Sequence, residues 1–277
     1  MTLVVLTGAT RGIGRAAAIE LARQGVEVAL VGRDAARVEA VAEQARAAGG
    51  GAPVHQHVAD LTLMSDVREL AGEIRERYGA LDVLANNAGA LFASRAETSE
   101  GLERTFALNH LAPFLLTNLL RDRLRGGRVV TTASDAHLSG LLDLEDLQSE
   151  RSYRAMRVYG TSKLCNILFT RELARRAPEL RANCLHPGTV RSGFGKNQPG
   201  LWKILTTLGA PLLRSPQHGA RSLLWLATSD EAAALTGAYI VDEKVVLPSL
   251  QAQDETLAQG LWERSAALVG LPGGAGQ

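Results

Sequence analysis

Short apolar runs alternate with longer amphipathic stretches along most of the chain. Leu3-Val4-Val5-Leu6 is followed by Arg15-Ala16-Ala17-Ala18-Ile19-Glu20-Leu21-Ala22, and then by Val26-Glu27-Val28-Ala29-Leu30-Val31. The short runs lack the polar alternation of a half-exposed strand, so they read as strands buried on both faces, and the longer stretches read as helices. The pattern predicts strands near 3–7, 26–32, 53–58, 81–86, 127–133, 181–186 and 238–241, and helices near 13–24, 34–48, 64–78, 99–122, 157–177 and 216–228. Such alternation predicts an α/β fold: a doubly wound parallel sheet of about seven strands, with helices on both faces and right-handed crossovers. At 277 residues the chain is expected to form one domain over 1–270, with 271–277 as a disordered glycine-rich tail.

Composition narrows the function classes. The net charge is +1, which points to neither nucleic acid nor an acidic membrane. The two cysteines, Cys165 and Cys184, show no metal-ligand spacing and read as buried thiols suited to a reducing cytosol. The six histidines contain no H-x-x-x-H pair, and His55 and His57 alternate on a strand, so no metal site is expected. No apolar stretch approaches the ~18 residues of a spanning helix. Leu111 to Leu120 is shorter than that and reads as a buried helix. With the first strand starting at Leu3, no signal peptide is expected, and the expected location is cytoplasmic.

The first chemistry lies between the first strand and the first helix, in Thr7-Gly8-Ala9-Thr10-Arg11-Gly12-Ile13-Gly14. A strand, a glycine turn and a helix together can hold a dinucleotide, because glycines let the backbone approach a pyrophosphate and the helix N-terminus favours its charge. The spacing is G-x-x-x-G-x-G, not G-x-G-x-x-G. At the end of the second strand an acidic residue would favour NAD by accepting the ribose hydroxyls. Here Gly32-Arg33-Asp34 stands instead. Arg33 together with Arg11 suits a 2′-phosphate, so the expected cofactor is NADP(H) over NAD(H). Asp34 complicates this, since it can reach the ribose or pair with Arg37.

The second chemistry is Tyr159-Gly160-Thr161-Ser162-Lys163 on a predicted helix. Residues four apart share a helix face, so phenol and ammonium can enter one cleft. A free tyrosine titrates near ~10, and an ammonium ~4 Å away at an effective dielectric of ~20 favours the phenolate by up to ~4 kcal/mol, or ~3 pH units. That would poise Tyr159 near ~7, where a proton shuttle works best. The same spacing also occurs by chance on solvated helix faces.

With these motifs in chain order, the sequence resembles the short-chain dehydrogenase/reductase family. The carriers are Thr7-Gly8 to Gly14, Asp60, Asn86-Asn87-Ala88-Gly89, Asn109, Ser134, Tyr159 with Lys163, and Pro187-Gly188. Leu108-Asn109-His110-Leu111, Ser134-Asp135-Ala136-His137 and Leu185-His186-Pro187-Gly188-Thr189-Val190 are similar to the retinol dehydrogenase and WW-domain oxidoreductase branch. The resemblance implies a Rossmann-type fold and a role for each residue. Tyr159 would exchange the proton. Lys163 would lower its pKa and hold the nicotinamide ribose. Ser134 would bond the substrate oxygen, and Asn109 would position a water that links Lys163 to solvent. Gly8, Thr10, Arg11, Gly12, Ile13, Gly14 and Arg33 would hold the dinucleotide, with Asp60, Leu61, Asn87, Ala88 and Gly89 around the adenine. Pro187, Gly188 and Val190 would line the nicotinamide. The resemblance also implies homodimers or homotetramers built through the helices at 99–122 and 157–177, and membrane-bound relatives carry an N-terminal anchor not expected here. Asn86 to Gly89 and Ser134 also fit plain strand-end turns, yet ligands of open α/β sheets sit at the carboxyl ends of strands, where all these segments fall.

The substrate side is read from 189–215, where Phe194, Leu201, Trp202, Ile204, Leu205, Leu208, Leu212 and Leu213 suggest a lid over a lipophilic retinoid, steroid, aromatic or long-chain carbonyl. A helix packed on the sheet or on a partner fits the same residues. Arg191 and Lys196 could hold an acidic group or stand in solvent. The polar insert Leu138 to Met156, with Asp143, Glu145, Asp146 and Glu150, reads as site rim or as structural loop. The expected function is an NADP(H)-dependent alcohol dehydrogenase/carbonyl reductase (EC 1.1.1.-). Two alternatives are a C=C reductase using the same tyrosine and lysine, and an NADPH-binding sensor without turnover.

Overall fold

The computed structural model describes residues 2–124, 126–190 and 214–272. Its frame is β1 (Leu3–Thr7), α1 (Gly12–Arg23), β2 (Glu27–Gly32), α2 (Ala35–Ala48), β3 (Val54–Val58), α3 (Met64–Arg77) and β4 (Val83–Asn86). It continues with α4 (Arg104–Phe106), a π-helical segment (Ala107–Leu111), α5 (Ala112–Leu120), β5 (Arg128–Thr132), α6 (Ala155–Arg176), β6 (Arg181–His186), α7 (Pro216–Thr228), β7 (Tyr239–Val241), β8 (Lys244–Val246) and α8 (Glu255–Leu268). The sheet order is β3-β2-β1-β4-β5-β6-β7-β8. All pairs are parallel except β7–β8. This is the expected Rossmann-type doubly wound sheet.

Strand alternation sorts the core onto two faces. Leu3, Val5, Ala29, Val31, Leu84 and Val129 face one cluster, with side chains of α3, α5, α6 and α8. Val4, Leu6, Val28, Leu30, Val83, Ala85 and Val130 face the other, with side chains of α1, α2 and α7. Both surfaces of the central strands are therefore dry, which is why they read as unbroken apolar runs.

Three elements differ from the sequence expectation. The sheet has eight strands, not about seven, because β8 folds back on β7 through Asp242 and Glu243, both at positive φ (50° and 61°). The expected helix over 99–122 starts at Arg104 and slips at 107–111, where the Ala112 N–H reaches the Ala107 carbonyl. Pro113 has no N–H to offer the Asn109 carbonyl, so a regular α-helical ladder cannot run through this turn. The third is α8, absent from the predicted helices; it is capped by Asp254, whose side chain accepts from the Leu257 N–H. Leu271 packs against the core beyond the expected boundary at 270. Most of the expected lid (191–213) and tail (273–277) lies outside the described residues.

Candidate functional site

The carboxyl ends of β1, β4, β5 and β6 converge on one edge of the sheet. At β1 the Thr7 hydroxyl donates to the Ala85 carbonyl at 3.2 Å and accepts from the Asn87 and Ala88 N–H groups at 2.9 and 3.1 Å. Asn87 Nδ2 donates back to the Thr7 carbonyl at 3.0 Å. The glycine turn is thus bolted to the end of β4. Gly8 stands at φ 66°, and a Cβ there would lie 2.8 Å from Ala88 Cα. A Cβ on Gly14 would lie 2.2 Å from the Gly8 carbonyl oxygen. These glycines are therefore demanded by the turn itself.

Helix α1 begins at Gly12 with no side chain capping it, whereas α2, α7 and α8 are capped by Asp34, Ser215 and Asp254. The first N–H groups of α1, like those of α6, thus have no side-chain cap, and beside the glycine turn this suits a pyrophosphate. Beside it, a side chain at Gly32 would start 2.5 Å from Thr10 Cγ2, so no acid can replace that glycine without displacing Thr10. Arg11 and Arg33 are exposed at this edge. Asp34 is engaged elsewhere: it accepts from the Arg37 N–H and pairs with the Arg37 guanidinium at 3.2 Å. Asp60 accepts from the Thr62 N–H and hydroxyl, and Leu61 is buried next to it.

Lys163 is buried, and its Nζ donates to the Thr132 carbonyl at 2.9 Å, 5.6 Å from the Tyr159 ring centroid. Tyr159 and Ser134 bond through their side chains. Ser134 Oγ also accepts from the Ala136 N–H, so it caps the turn that follows β5 as well. Asn109, set by the π-helical slip, accepts from the Ala90 N–H and donates to the Ala90 carbonyl and Ser162 Oγ, each at 2.9 Å. Ser162 in turn donates to the Tyr159 carbonyl at 2.7 Å. A Cβ on Gly89 would sit 3.2 Å from Asn109 Oδ1 and 3.3 Å from Lys163 Nζ, so the β4 loop closes directly on the lysine.

The electrostatics differ from the expected lowering of Tyr159. Burial pushes the phenol up and the Lys163 ammonium down to about 8. The ammonium is fastened to β5, and desolvation of the phenolate outweighs its attraction.

The β6 side closes the edge. Gly188 stands at φ 78°. A Cβ on Gly219 of α7 would lie 2.5 Å from Val190, 3.1 Å from Ile13 and 3.4 Å from the Pro187 carbonyl, so the β1 and β6 loops meet over that glycine. Gly219 was not singled out in the sequence; a glycine interrupting a helical pattern is the signal that could have marked it. Also unforeseen is a support behind Ser134. His137 Nδ1 bonds the Ser134 carbonyl at 2.8 Å, while Asp135 accepts from the Tyr239 hydroxyl at 2.7 Å and pairs with His186 at 3.1 Å. The 138–156 insert mostly braces the fold: Leu142 is buried, Leu144 fills the space over Gly260, and Glu145 pairs with Arg264 of α8. His55 and His57 bond Glu27, Arg77, Glu73 and Tyr78, as expected of structural histidines, and both cysteines are buried. Among the described residues no cluster of metal-ligating side chains occurs, and no helix is long and apolar enough to cross a membrane.

The short chain dehydrogenase family profile matches residues 2–199. A Streptomyces protein that carries the provisional name daunorubicin C-13 ketoreductase is 44% identical over 268 residues, covering 96% of this chain and 92% of its own. Human retinol dehydrogenase 13 is 38% identical over 283 residues, covering 97% of this chain and 84% of its own. Among solved structures, an uncharacterized protein from Mycobacterium paratuberculosis superposes with a TM-score of 0.80 at 33% identity, over 99% of this chain and 95% of that one. The Thermococcus sibiricus alcohol dehydrogenase in complex with 5-hydroxy-NADP superposes with a TM-score of 0.64 at 28% identity, over 82% of this chain and 90% of that one.

Proposed function

Since the chain belongs to the short chain dehydrogenase family, an oxidoreductase family, we propose that it interconverts a carbonyl and an alcohol on a lipophilic substrate with NADP(H). The observation that carries this reading is the meeting of Ser134, Tyr159 and Lys163 beside the β4 loop that is bolted to the glycine turn. The nicotinamide, when bound, supplies or receives the hydride. Tyr159 then gives or takes the proton at the substrate oxygen, and the Ser134 hydroxyl orients that oxygen. Lys163 holds positive charge beside the phenol and favours its ionised form. Asn109 fixes Gly89–Ala90 against α6 and so keeps the floor of the site rigid.

Cofactor choice follows from the β2 end. Gly32 leaves no acid for the ribose, Asp34 is taken by α2 and Arg37, and Arg11 with Arg33 offers guanidiniums to a 2′-phosphate. The solved relative with 5-hydroxy-NADP supports the same choice. Pro187, Gly188 and Val190 would line the nicotinamide side and Asp60 and Leu61 the adenine side, while Asn87, Ala88 and Gly89 would run from the adenine side towards Lys163.

The substrate class is argued from the rim. Leu138, Leu141, Met156, Leu247 and Leu250 are exposed. They lie on segments joined to the site: Leu138 and Leu141 follow Ser134, Met156 precedes Tyr159, and the Ser249 N–H donates to His137. A polycyclic aromatic ketone or a retinoid suits such a mouth, in keeping with the names of the ketoreductase and retinol dehydrogenase relatives. The test is NADPH oxidation against a panel of aromatic ketones, retinoids, steroids and long-chain aldehydes, with Tyr159→Phe as control. Turnover confined to the intact tyrosine supports the reading; equal turnover in Tyr159→Phe refutes it.

A further inference from the structure

A polar line runs through the apolar core behind the lysine. His110, Asn166 and Ser265 are all buried, although they come from the π-helical segment, α6 and α8. Asn166 Nδ2 donates to the Thr132 carbonyl at 3.2 Å, the same oxygen that receives Lys163 Nζ at 2.9 Å. At the far end, His110 Nε2 lies 2.9 Å from Ser265 Oγ. Between them, His110 Nδ1 and Asn166 Oδ1 are both buried and neither has a hydrogen-bond partner, while the Asn166 side chain lies close enough to His110 to favour its protonated form. One proton arrangement would satisfy both orphaned atoms if the two side chains close on each other. The Ser265 hydroxyl donates to Nε2, Nδ1–H donates to Asn166 Oδ1, and the Asn166 amide donates to the Thr132 carbonyl. The rings of Phe106, Phe114 and Phe169, at 5.1, 6.1 and 6.2 Å from His110, keep this line dry. Burial pushes His110 down to about 3, so its ring stays neutral and its tautomer is set by its neighbours.

We propose that His110, oriented by Ser265, locks the Asn166 amide so that it shares the Thr132 carbonyl with Lys163, making His110 and Asn166 positioning residues for the lysine. The proposal rests on the role given to Lys163 above. A carbonyl that already accepts one bond holds the ammonium less tightly than one reserved for it. The ammonium is therefore freer to turn from β5 towards Tyr159, where its charge is needed. Apolar side chains would fill the same volume with no polar groups to satisfy, so the line exists at a cost that packing does not explain. Without the lock, the Asn166 amide turns, the carbonyl falls to the lysine alone, and the ammonium is drawn towards β5. The other groups facing Lys163 are Tyr159 on its own helix and Asn109 from the π-helical segment, and the lowering of Lys163 comes from burial alone.

The test follows the lysine directly. The chain has four lysines, Lys163, Lys196, Lys203 and Lys244, so in protein labelled with [ε-13C]lysine the Lys163→Met variant identifies the resonance. The parent midpoint is expected near about 8. In His110→Phe, which keeps an aromatic ring in place, the midpoint should rise by about one unit and turnover should fall about tenfold, the size of one bond gained by a charged group. His110→Asn keeps a donor at the Nδ1 position and should restore both. Should His110→Phe fail to fold, Ser265→Ala carries the test, with a smaller shift in the same direction. An unchanged lysine midpoint in the folded variant overturns the proposal. Activity surviving in Tyr159→Phe would overturn the functional reading instead, and leaves the lysine titration standing.

Discussion

Replacing Arg33 by alanine tests the cofactor assignment at the point where the structure is most specific. Arg33 follows Gly32 at the β2 end and is exposed. A charge-assisted hydrogen bond to a phosphate contributes ~1.5–3 kcal/mol, which corresponds to ~10–150-fold in affinity. Solvent screening of an exposed guanidinium places the expectation in the lower part of that range, at ~10–30-fold weaker NADPH binding. NADH carries no 2′-phosphate, so its affinity should stay within about twofold. Titration of both coenzymes by nicotinamide fluorescence, at low and high salt, reads the effect, and the NADPH preference should shrink as salt rises in the parent. Asp34→Ala is the companion variant. It removes the α2 cap and the Arg37 pair, lowers stability by ~1 kcal/mol, and should leave NADPH binding unchanged. An unchanged NADPH:NADH ratio in Arg33→Ala, or a loss of NADH affinity in Asp34→Ala, refutes the assignment.

Three further outcomes can be checked on the same protein. Tyr159→Phe should abolish carbonyl reduction, by ~100-fold or more, while NADPH still binds. Gly219→Leu forces a side chain against Val190, Ile13 and the Pro187 carbonyl; overpacking of this kind costs ~1–3 kcal/mol, so a lower melting temperature and weaker coenzyme binding should appear together. The third concerns pH. Lys163 titrates near about 8 in the folded chain against an ordinary 10.5, so the unfolded chain binds more protons between those values and stability rises with pH across that window. Lys163→Met removes this burden: its melting temperature should exceed the parent's at pH ~7, and the gap should narrow by pH ~9.5. Tyr159 works with the opposite sign above pH ~10, where the unfolded phenol ionises first, so the comparison belongs below that value.

Much of the frame was legible because parallel strands dry on both faces, such as β1, β2 and β4, leave nearly unbroken apolar runs. β8 does not. It has three residues, and its turn takes left-handed φ at Asp242 and Glu243 with no glycine to advertise it. Helix α8 is masked by Gly260, which is there because Leu144 occupies the space of its missing side chain. In the site, Tyr159 and Lys163 were legible from helical spacing, and Gly8 and Gly14 from their strand-turn-helix setting. The bonds of Thr7 to the β4 end, Gly219 and the His110–Asn166–Ser265 line were not, because their partners are brought together only by folding. The direction of the Tyr159 shift was misread for a related reason: spacing reveals a neighbouring charge, whereas desolvation depends on everything packed around it.

The hydroxyl of Thr7 has a bearing on how this scaffold can be re-engineered. One side-chain oxygen serves three backbone partners at the end of another strand and in the loop after it, so residues 7–14 do not form a portable cassette. Moving them into a foreign sheet without 85–89 would leave that oxygen's neighbours unbonded and let the turn relax. Swaps of coenzyme preference in this chain are therefore better made at Arg33, whose side chain is exposed beyond β2, than inside the loop.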